Sequence, residues 1–319
     1  EASSGNLKSK LSVFIRGNFL IPDPRKFWIK PSIRFLSKYI TENDIDAIVS
    51  TGPPHSMHLI ALGLKKRFPA IKWIADFRDP WTNIDFYFKL RLTTWADKKH
   101  KKLEKKVLTK ADHVVTVTPR WQEELAIIGN RKVDLVYNGF DHIDFENLSP
   151  DVDAKFSISH FGSFNKDRNP DALWIALNEM LIEIPELKES LSIQLIGQTD
   201  DSIIQSIKNA GSDTFLTCFD FLPHNKGVAL LKKSQVLLLP INNAPNALGI
   251  IPGKMYEYIA LNRPILAIGP TESDSAQIIS ETNSGICKNF EDVEGIKSTL
   301  QLYFNHFKKG TLKTNSKSY

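Results

Sequence analysis

Apolar positions along the chain fall into two successive series in which short apolar runs alternate with longer stretches of helical spacing. In the first series Ile45–Ser50, Ile71–Asp76, His113–Val117 and Val133–Tyr137 read as strands. Lys30–Ile40, Ser56–Arg67, Leu92–Lys110 and Pro119–Ile128 read as helices, and the residues before Lys30 as a polar start. Thr118-Pro119 supplies a cap and an early helical proline for the last of these helices. After a polar connector, Asp141–Asp153, the rhythm restarts. Strands are predicted at Ser157–Phe161, Leu191–Ile196, Phe215–Phe219, Gln235–Leu239, Ile265–Ile268 and Gly285–Cys287. Helices fall at Asp171–Leu181, Asp201–Ala210, Pro223–Ser234, within Gly249–Asn262, at Gln277–Glu281 and at Val293–Phe307.

Strands and helices in alternation imply parallel sheets, and two such blocks imply two α/β domains, 1–147 and 148–319. The length of 319 residues agrees, being more than one core of ~100–200 residues accommodates. Ligands of open parallel sheets bind beyond the carboxyl ends of the strands. The loops of interest are therefore TGPPHS, FRDPWTN, YNGFDH, GSFNKDRNP, GQTD and the stretch from Asn242 to Lys254, expected to meet in one cleft between domains.

Composition narrows the classes. A hydrophobic content of 42% excludes a disordered chain, and no apolar run approaches the ~20 residues of a membrane span. The net charge of +5 favours anionic partners without choosing among them. Cys218 and Cys287 lack metal-ligand spacing and read as buried free thiols in a reducing compartment. No secretory or transit peptide is recognisable at the start.

One stretch carries most of the chemistry: GIIPGKMYEYIALNRPILAIGP, Gly249–Pro270. A small-residue loop entering a short helix is an anion site by virtue of its unpaired amides and the helix dipole. Lys254 adds charge, and Glu257, three residues on, offers a carboxylate suited to a ribose diol. The same pattern also fits a capped helix with solvated charges, and this window alone does not separate the two.

Taken in order, HFGSFNKDRNPDALWIALNEM, LIGQ, FLPHNKGVALLKKSQVLLLPI and GIIPGKMYEYIALNRPILAIGP resemble the donor-binding half of family 4 glycosyltransferases, the "group 1" retaining enzymes. IVSTGPPHSMHLIALGL, IADFRDPW, ADHVVTVTP and VDLVYNGFD resemble the first half of a bacterial branch of that family. The resemblance implies the GT-B architecture, two Rossmann-like domains facing across a cleft, the first for the acceptor and the second for a nucleotide-sugar donor. It implies transfer of a sugar from a nucleoside-diphosphate sugar to a glycan or lipid-linked acceptor in envelope polysaccharide synthesis, in the cytoplasm, with the donor as co-substrate and neither cofactor nor metal required. The family's opening glycine-rich loop and closing crossover helix are not recognisable, which leads to the expectation of a fragment.

By the same resemblance Glu257 is the ribose-binding carboxylate. The family's second glutamate, eight positions earlier, is Gly249 here, leaving the backbone of Gly249, Ile250, Ile251 and Gly253 for the sugar or distal phosphate. Arg168 stands near the family's diphosphate-gripping base, and the family's earlier arginine is replaced by Ser163. Lys166 or Lys254 then supplies the second charge, with Gly162 and Asn138 completing the donor set. Arginine suits phosphate because its fork engages two oxygens. His55 matches an acceptor-domain histidine near the donor sugar, although a lone histidine is more often structural. Asp79 is a candidate for orienting the acceptor hydroxyl, or else a turn cap before Pro80. Without an enzymic nucleophile, retention implies a same-face mechanism in which the leaving phosphate takes the acceptor's proton.

The run Lys98–Lys106 reads as a solvated helix face or as a contact with an anionic membrane, aided by Phe86, Tyr87, Phe88 and Trp95. Nucleic acid is not expected, since no recognition motif accompanies the charge. Two alternatives stay open: a sugar-nucleotide epimerase of the same architecture, and a degenerate binding or scaffold paralogue, suggested by Gly249 and Ser163.

Overall fold

The computed structural model describes residues 7–146, 148–149 and 151–312; the two ends, on which the expectation of a fragment rested, lie outside the described residues, as do Asn147 and Pro150. The chain divides into two units, Glu1–Tyr137 and Asn138–Tyr319.

Unit 1 runs α1 (Leu7–Phe19), a 3-10 turn (Pro24–Trp28), α2 (Ile29–Glu42), β1 (Ala47–Gly52), α3 (Ser56–Arg67), β2 (Lys72–Phe77), a second 3-10 turn (Tyr87–Leu90), α4 (Thr94–Lys110), β3 (His113–Thr116), α5 (Pro119–Gly129) and β4 (Asp134–Leu135). The strands form one parallel sheet in the order β1-β2-β3-β4. Its core is Trp73, Ala75 and Phe77 from β2, Val107 and Leu108 from α4, Val114 from β3 and Leu125 from α5. Caps set the helix starts. Thr93 accepts from the Ala96 N–H at α4, and Thr118 from the Trp121 N–H at α5, where Pro119 takes the first position.

Three sequence expectations for this unit change. The polar start holds a helix, α1, whose inward edge is Gly17 and Asn18. Asn18 ties it down by accepting from the Thr93 N–H at 2.7 Å and donating to the Arg91 carbonyl at 3.2 Å. A Cβ on Gly17 would lie 2.7 Å from the Leu90 oxygen. Because polar and backbone contacts hold α1, its apolar residues face outward and announce no buried stripe. The strand expected at Val133–Tyr137 shrinks to two residues at the sheet edge. The expected helix start at Leu92 moves to the Thr93 cap.

Unit 2 runs β5 (Phe156–Phe161), α6 (Asp171–Glu183), α7 (Leu187–Ser190), β6 (Leu191–Ile196), α8 (Asp201–Asn209), β7 (Leu216–Phe219), α9 (His224–Lys233), β8 (Val236–Pro240), α10 (Lys254–Leu261), β9 (Ile265–Ile268), α11 (Asp274–Glu281), β10 (Gly285–Lys288) and α12 (Val293–Lys308). Its six parallel strands take the order β10-β9-β8-β5-β6-β7. β8 and β9 are buried at every position, as strands covered on both faces must be. α11 starts at Asp274, earlier than expected, because Ser273 caps it through the Ala276 N–H. Cys218 is exposed rather than buried, since β7 is the edge strand and turns Thr217 and Cys218 to solvent.

The strand order has a consequence for function. From β5 the chain first builds outward through β6 and β7, then crosses back to place β8 on β5's other side and continues to β9 and β10. The reversal lies between β5 and β8. At such a point the loops leaving the two strands splay to opposite faces and open a crevice at their carboxyl ends.

Candidate functional site

In unit 2 the residues singled out from the sequence gather at this switch point. The loop after β5 begins with Gly162 (φ +99°), and the loop after β6 with Gly197 (φ +110°). Both need the left-handed region, which glycine enters without a Cβ penalty. The two loops then zip together: Gly162 N–H donates to Ile196 O at 2.8 Å, Phe164 N–H to Gln198 O at 2.9 Å, and Asp200 N–H to Phe164 O at 2.9 Å. Phe164 is buried beneath them, so the loop carrying Lys166 and Arg168 is held rather than free.

Arg168 bridges the crevice. Its Nε donates to Asn242 Oδ1, on the loop after β8, and the Asn243 N–H donates to Asp167 O at 2.9 Å. The guanidinium is thereby fixed in orientation while Lys166 stays exposed on the same turn.

Lys254 is the first residue of α10, and its side chain turns back beneath the β5 end. Nζ donates to Phe161 O at 2.8 Å and sits 3.2 Å from His160 Nε2. His160 Nδ1 lies 3.1 Å from the Leu238 carbonyl, which can only accept; Nδ1 therefore carries the proton and Nε2 receives Lys254. Burial, then the nearby Lys254 charge, holds His160 well below its ordinary value, so it is neutral. Burial, then the Arg168 charge, lowers Lys254 to about 7, against which Glu257 pulls upward. Two cations thus crowd the same end of the sheet. Gly162 lies against Lys254: a Cβ there would stand 3.4 Å from Nζ, in ordinary contact.

Glu257 is partly exposed one turn along α10, its Oε1 3.2 Å from His224 Nε2 at the start of α9. Phe161, which presents the carbonyl to Lys254, is pinned by its N–H to the buried Tyr258 hydroxyl at 3.1 Å and by Gly227 of α9 against its ring. The amides of Gly249 and Ile250 are already spent on the carbonyls of Asn246 and Ala247 within a 3-10 turn, and Ser275 Oγ donates to Ile250 O. Gly249 and Ile251 are buried, which leaves the exposed Gly253, with open space where a Cβ would stand, as the accessible part of that stretch. Asn138 is exposed at the start of unit 2.

The remaining candidates lie in unit 1. His55, at the N-terminal end of α3, is buried and stacks flat on Trp81, ring centroids 4.7 Å apart. Burial holds it neutral, reinforced by His58 and His100. Asp79 is partly buried on the loop after β2; burial raises its carboxyl, the Arg78 charge opposes this and Asp85 adds to it. Arg78 itself donates to Pro53 O at 3.0 Å, tying this loop to the one before α3.

Sequence reasoning missed several supporting groups. His100 and Glu104 lie within the lysine run of α4 yet are buried. Glu104 accepts from the amides of Trp81 and Thr82, each at 3.2 Å, and from the Thr82 hydroxyl at 2.5 Å. His100 Nδ1 accepts from the Trp81 indole at 3.0 Å. The i, i+4 spacing of His100 and Glu104, in register with Ala96 and Leu108, was the available signal. His160, Asn242 and His224 were also passed over; each follows or ends a predicted strand or starts a helix on the ligand-bearing side.

Residues 4–143 match the family model Glycosyltransferase Family 4. The search of curated proteins returned no match. Among solved structures the chain is similar to sucrose-phosphate synthase from Thermosynechococcus elongatus, with 13% identity, a TM-score of 0.64 and coverage of 90% of this chain and 71% of that one. It is similar to a glycosyltransferase from Rickettsia africae ESF-5, with 14% identity, a TM-score of 0.61 and coverage of 88% and 72%. It is similar also to a UDP-forming alpha,alpha-trehalose-phosphate synthase from Burkholderia xenovorans, with 13% identity, a TM-score of 0.62 and coverage of 89% and 72%. These likenesses establish the fold: two parallel sheets flanked by helices, as in the GT-B glycosyltransferases.

Proposed function

From the premise that this chain carries a glycosyltransferase family 4 domain within a GT-B fold, we propose that it is a retaining enzyme that takes a nucleoside-diphosphate sugar in unit 2 and transfers the sugar to a glycan or lipid-linked acceptor in envelope polysaccharide synthesis. The observation that carries the donor half is the pair of mutually repelling cations, Arg168 and Lys254, fixed at the β5/β8 switch point, with Glu257 one helical turn from Lys254. A diphosphate relieves that repulsion. As the bond to the sugar breaks, negative charge grows on the leaving phosphate, and prepositioned cations stabilise it most there. Glu257 accepts from the ribose hydroxyls, and the exposed Gly253 lets a phosphate approach the start of α10. With no side-chain nucleophile assigned, the leaving phosphate takes the acceptor proton on the same face.

For the membrane, α1 carries its apolar residues outward: Leu11 is 56% and Phe19 62% exposed, with Phe14 and Ile15 between them. It packs against α4, where Trp95 is 61% exposed under Lys99. The lysines of α4 crowd one another and Lys66, which lowers Lys106. An apolar strip beside a positive field fits an anionic bilayer surface, where each unpaired charge gains ~1 kcal/mol. Among the described residues no helix is long and apolar enough to cross a membrane.

Release of nucleoside diphosphate from a panel of nucleotide sugars tests the assignment, with UDP-sugars first because one neighbour is a UDP-forming synthase. One donor is expected to turn over, and Glu257→Ala and Arg168→Ala to abolish release. A silent panel with binding of free nucleotide retained would instead favour the scaffold reading, for which Gly249 and Ser163 are the specific motive.

A further inference from the structure

Unit 1 contains a cavity of ≈ 590 Å³ that the donor chemistry does not use. This is within the ~300–1,000 Å³ range of small-molecule sites. Its walls are largely apolar, with Pro53, Pro54, Trp81, Ile84, Phe86 and Leu90 among them, and Arg16, Arg25 and His55 contribute the polar groups of interest. His55 is 7% exposed, and neither of its ring nitrogens has a hydrogen-bond partner. A buried imidazole left this way forfeits bonds it would make in water, a cost that a hydrogen-bonding ligand in the cavity removes. Asp23 also lines the cavity, but its carboxylate is committed: Oδ2 accepts from the Ser56 N–H at 2.7 Å, and Oδ1 from the Ser56 hydroxyl at 3.0 Å and the Arg25 N–H at 2.9 Å. With His55 and His100 both pushed toward the neutral form, two arginines against one aspartate leave the lining at 2 − 1 = +1.

The cavity is therefore apolar for most of its wall and cationic at a few points. A free sugar suits neither property, having no hydrocarbon to bury and no charge to pair. A phosphate ester with a hydrocarbon chain suits both, its head engaging guanidinium forks and its chain the proline and aromatic walls. The helix that supplies Arg16 and Gly17 to the lining is the one that turns Leu11, Phe14, Ile15 and Phe19 outward. One helix thus borders the cavity and offers an apolar face to whatever surface lies outside. We propose that this cavity is the acceptor site and that the acceptor is an amphiphilic phosphate ester, an isoprenoid or acyl chain bearing a phosphorylated head, with Arg16 and Arg25 on the phosphate and His55 hydrogen-bonding the head group. This rests on the reading of unit 1 as the acceptor side.

The test is direct binding to the full chain, by calorimetry and tryptophan emission, of farnesyl phosphate below its micellar concentration, farnesol and inorganic phosphate. Farnesyl phosphate is expected to bind at least tenfold more tightly than either of the others. The Arg16→Ala/Arg25→Ala variant should lose that advantage and bind farnesyl phosphate no better than farnesol, and Ile84→Glu should abolish both. Inorganic phosphate binding as tightly as farnesyl phosphate means a phosphate site without a lipid, and farnesol binding as tightly means an apolar site without an anion; either overturns the proposal. Nucleoside diphosphate is titrated into the same preparation. If the nucleotide binds and farnesyl phosphate does not, this inference fails while the donor assignment stands; if only farnesyl phosphate binds, the reverse holds.

Discussion

Lys254 gives the donor assignment its most quantitative consequence. In the free protein its ammonium is lowered to about 7 by burial and by Arg168, from an ordinary 10.5. A bound diphosphate offsets both causes by supplying negative charge at the same spot, which drives the group back toward its ordinary value. At pH 8 about 0.1 of the free lysine is charged, so restoring it on binding takes up about 0.9 proton, against about 0.1 at pH 6. The same protonation must be driven by the ligand, so the apparent Kd for nucleoside diphosphate rises about fivefold from pH 7 to pH 8 and about tenfold more to pH 9. The terminal phosphate, whose second ionisation falls near ~6, is fully charged above pH 8 and adds nothing there.

Calorimetry at pH 8 in buffers of different ionisation enthalpy measures the uptake directly. Lys254→Met should bind without proton uptake and with a Kd that stays flat above pH 8. At pH 7 it should bind 10- to 100-fold more weakly, the ~1.5–3 kcal/mol of a charge-assisted hydrogen bond. The unliganded protein carries the complementary signature. Between about 7 and 10.5 the unfolded chain binds the extra proton, so stability rises with pH through that window, and the penalty of the buried charge is fully present below it. Lys254→Met should remove this rise. A wild-type Kd that does not move from pH 7 to pH 9, with no proton taken up, would refute the assignment of Lys254 to the diphosphate.

Three further outcomes follow from contacts elsewhere. Glu104→Ala leaves three donors without their carboxylate acceptor and should cost ~3 kcal/mol in urea denaturation. Because burial raises the Glu104 carboxyl above its unfolded 4.5, wild-type stability relative to Glu104→Gln should fall as pH climbs through the window above 4.5. Gly227→Ala places a Cβ 2.4 Å from the Phe161 ring and should destabilise by ~1–3 kcal/mol despite the better helix former, while weakening nucleotide binding because Phe161 O holds Lys254. In vesicle flotation the protein should bind anionic rather than zwitterionic membranes. Phe14→Ser/Ile15→Ser/Phe19→Ser should reduce that binding at least tenfold, and 1 M salt, with its ~3 Å screening length, should release most of it.

The sheets were legible because parallel strands buried on both faces spell themselves out as apolar runs. Leu237–Leu239 and Ile265–Ile268 admit no other reading at that length. Helices with an inward apolar stripe, such as α3, were legible for the same reason. α1 was not, because its inward edge is a glycine and an asparagine and its apolar side is turned out. Periodicity reports which residues share a face without reporting which way the face points. The site was legible as far as its charges went. Arg168, Lys254 and Glu257 fall on loops after β5 and β8 and on the helix between β8 and β9. Their state was not legible, since the lowered Lys254 depends on His160 and Phe161 O, close to a hundred residues away in the chain and adjacent only through the β5–β8 pairing.

The same physical device recurs in the loops of both units. A loop that leaves a strand end must expose polar groups to a ligand, yet it binds well only if it loses little freedom in doing so. In unit 1 the segment after β2 is anchored from the far side by a helix: Glu104 takes the amides of Trp81 and Thr82, and His100 takes the indole. Trp81 then stands rigid beneath His55, whose nitrogens stay unspent. In unit 2 the segment after β5 is anchored sideways, through Asn242 to Arg168 and through Gln198 to Phe164, while Lys254 is drawn beneath it. In unit 1 the stabilising contacts go to Trp81 and Thr82, one step removed from His55; in unit 2 they go to Phe164 and to Arg168 and Lys254 themselves. Among the buried polar groups left without partners or shifted in charge state are His55 in unit 1 and Lys254 in unit 2.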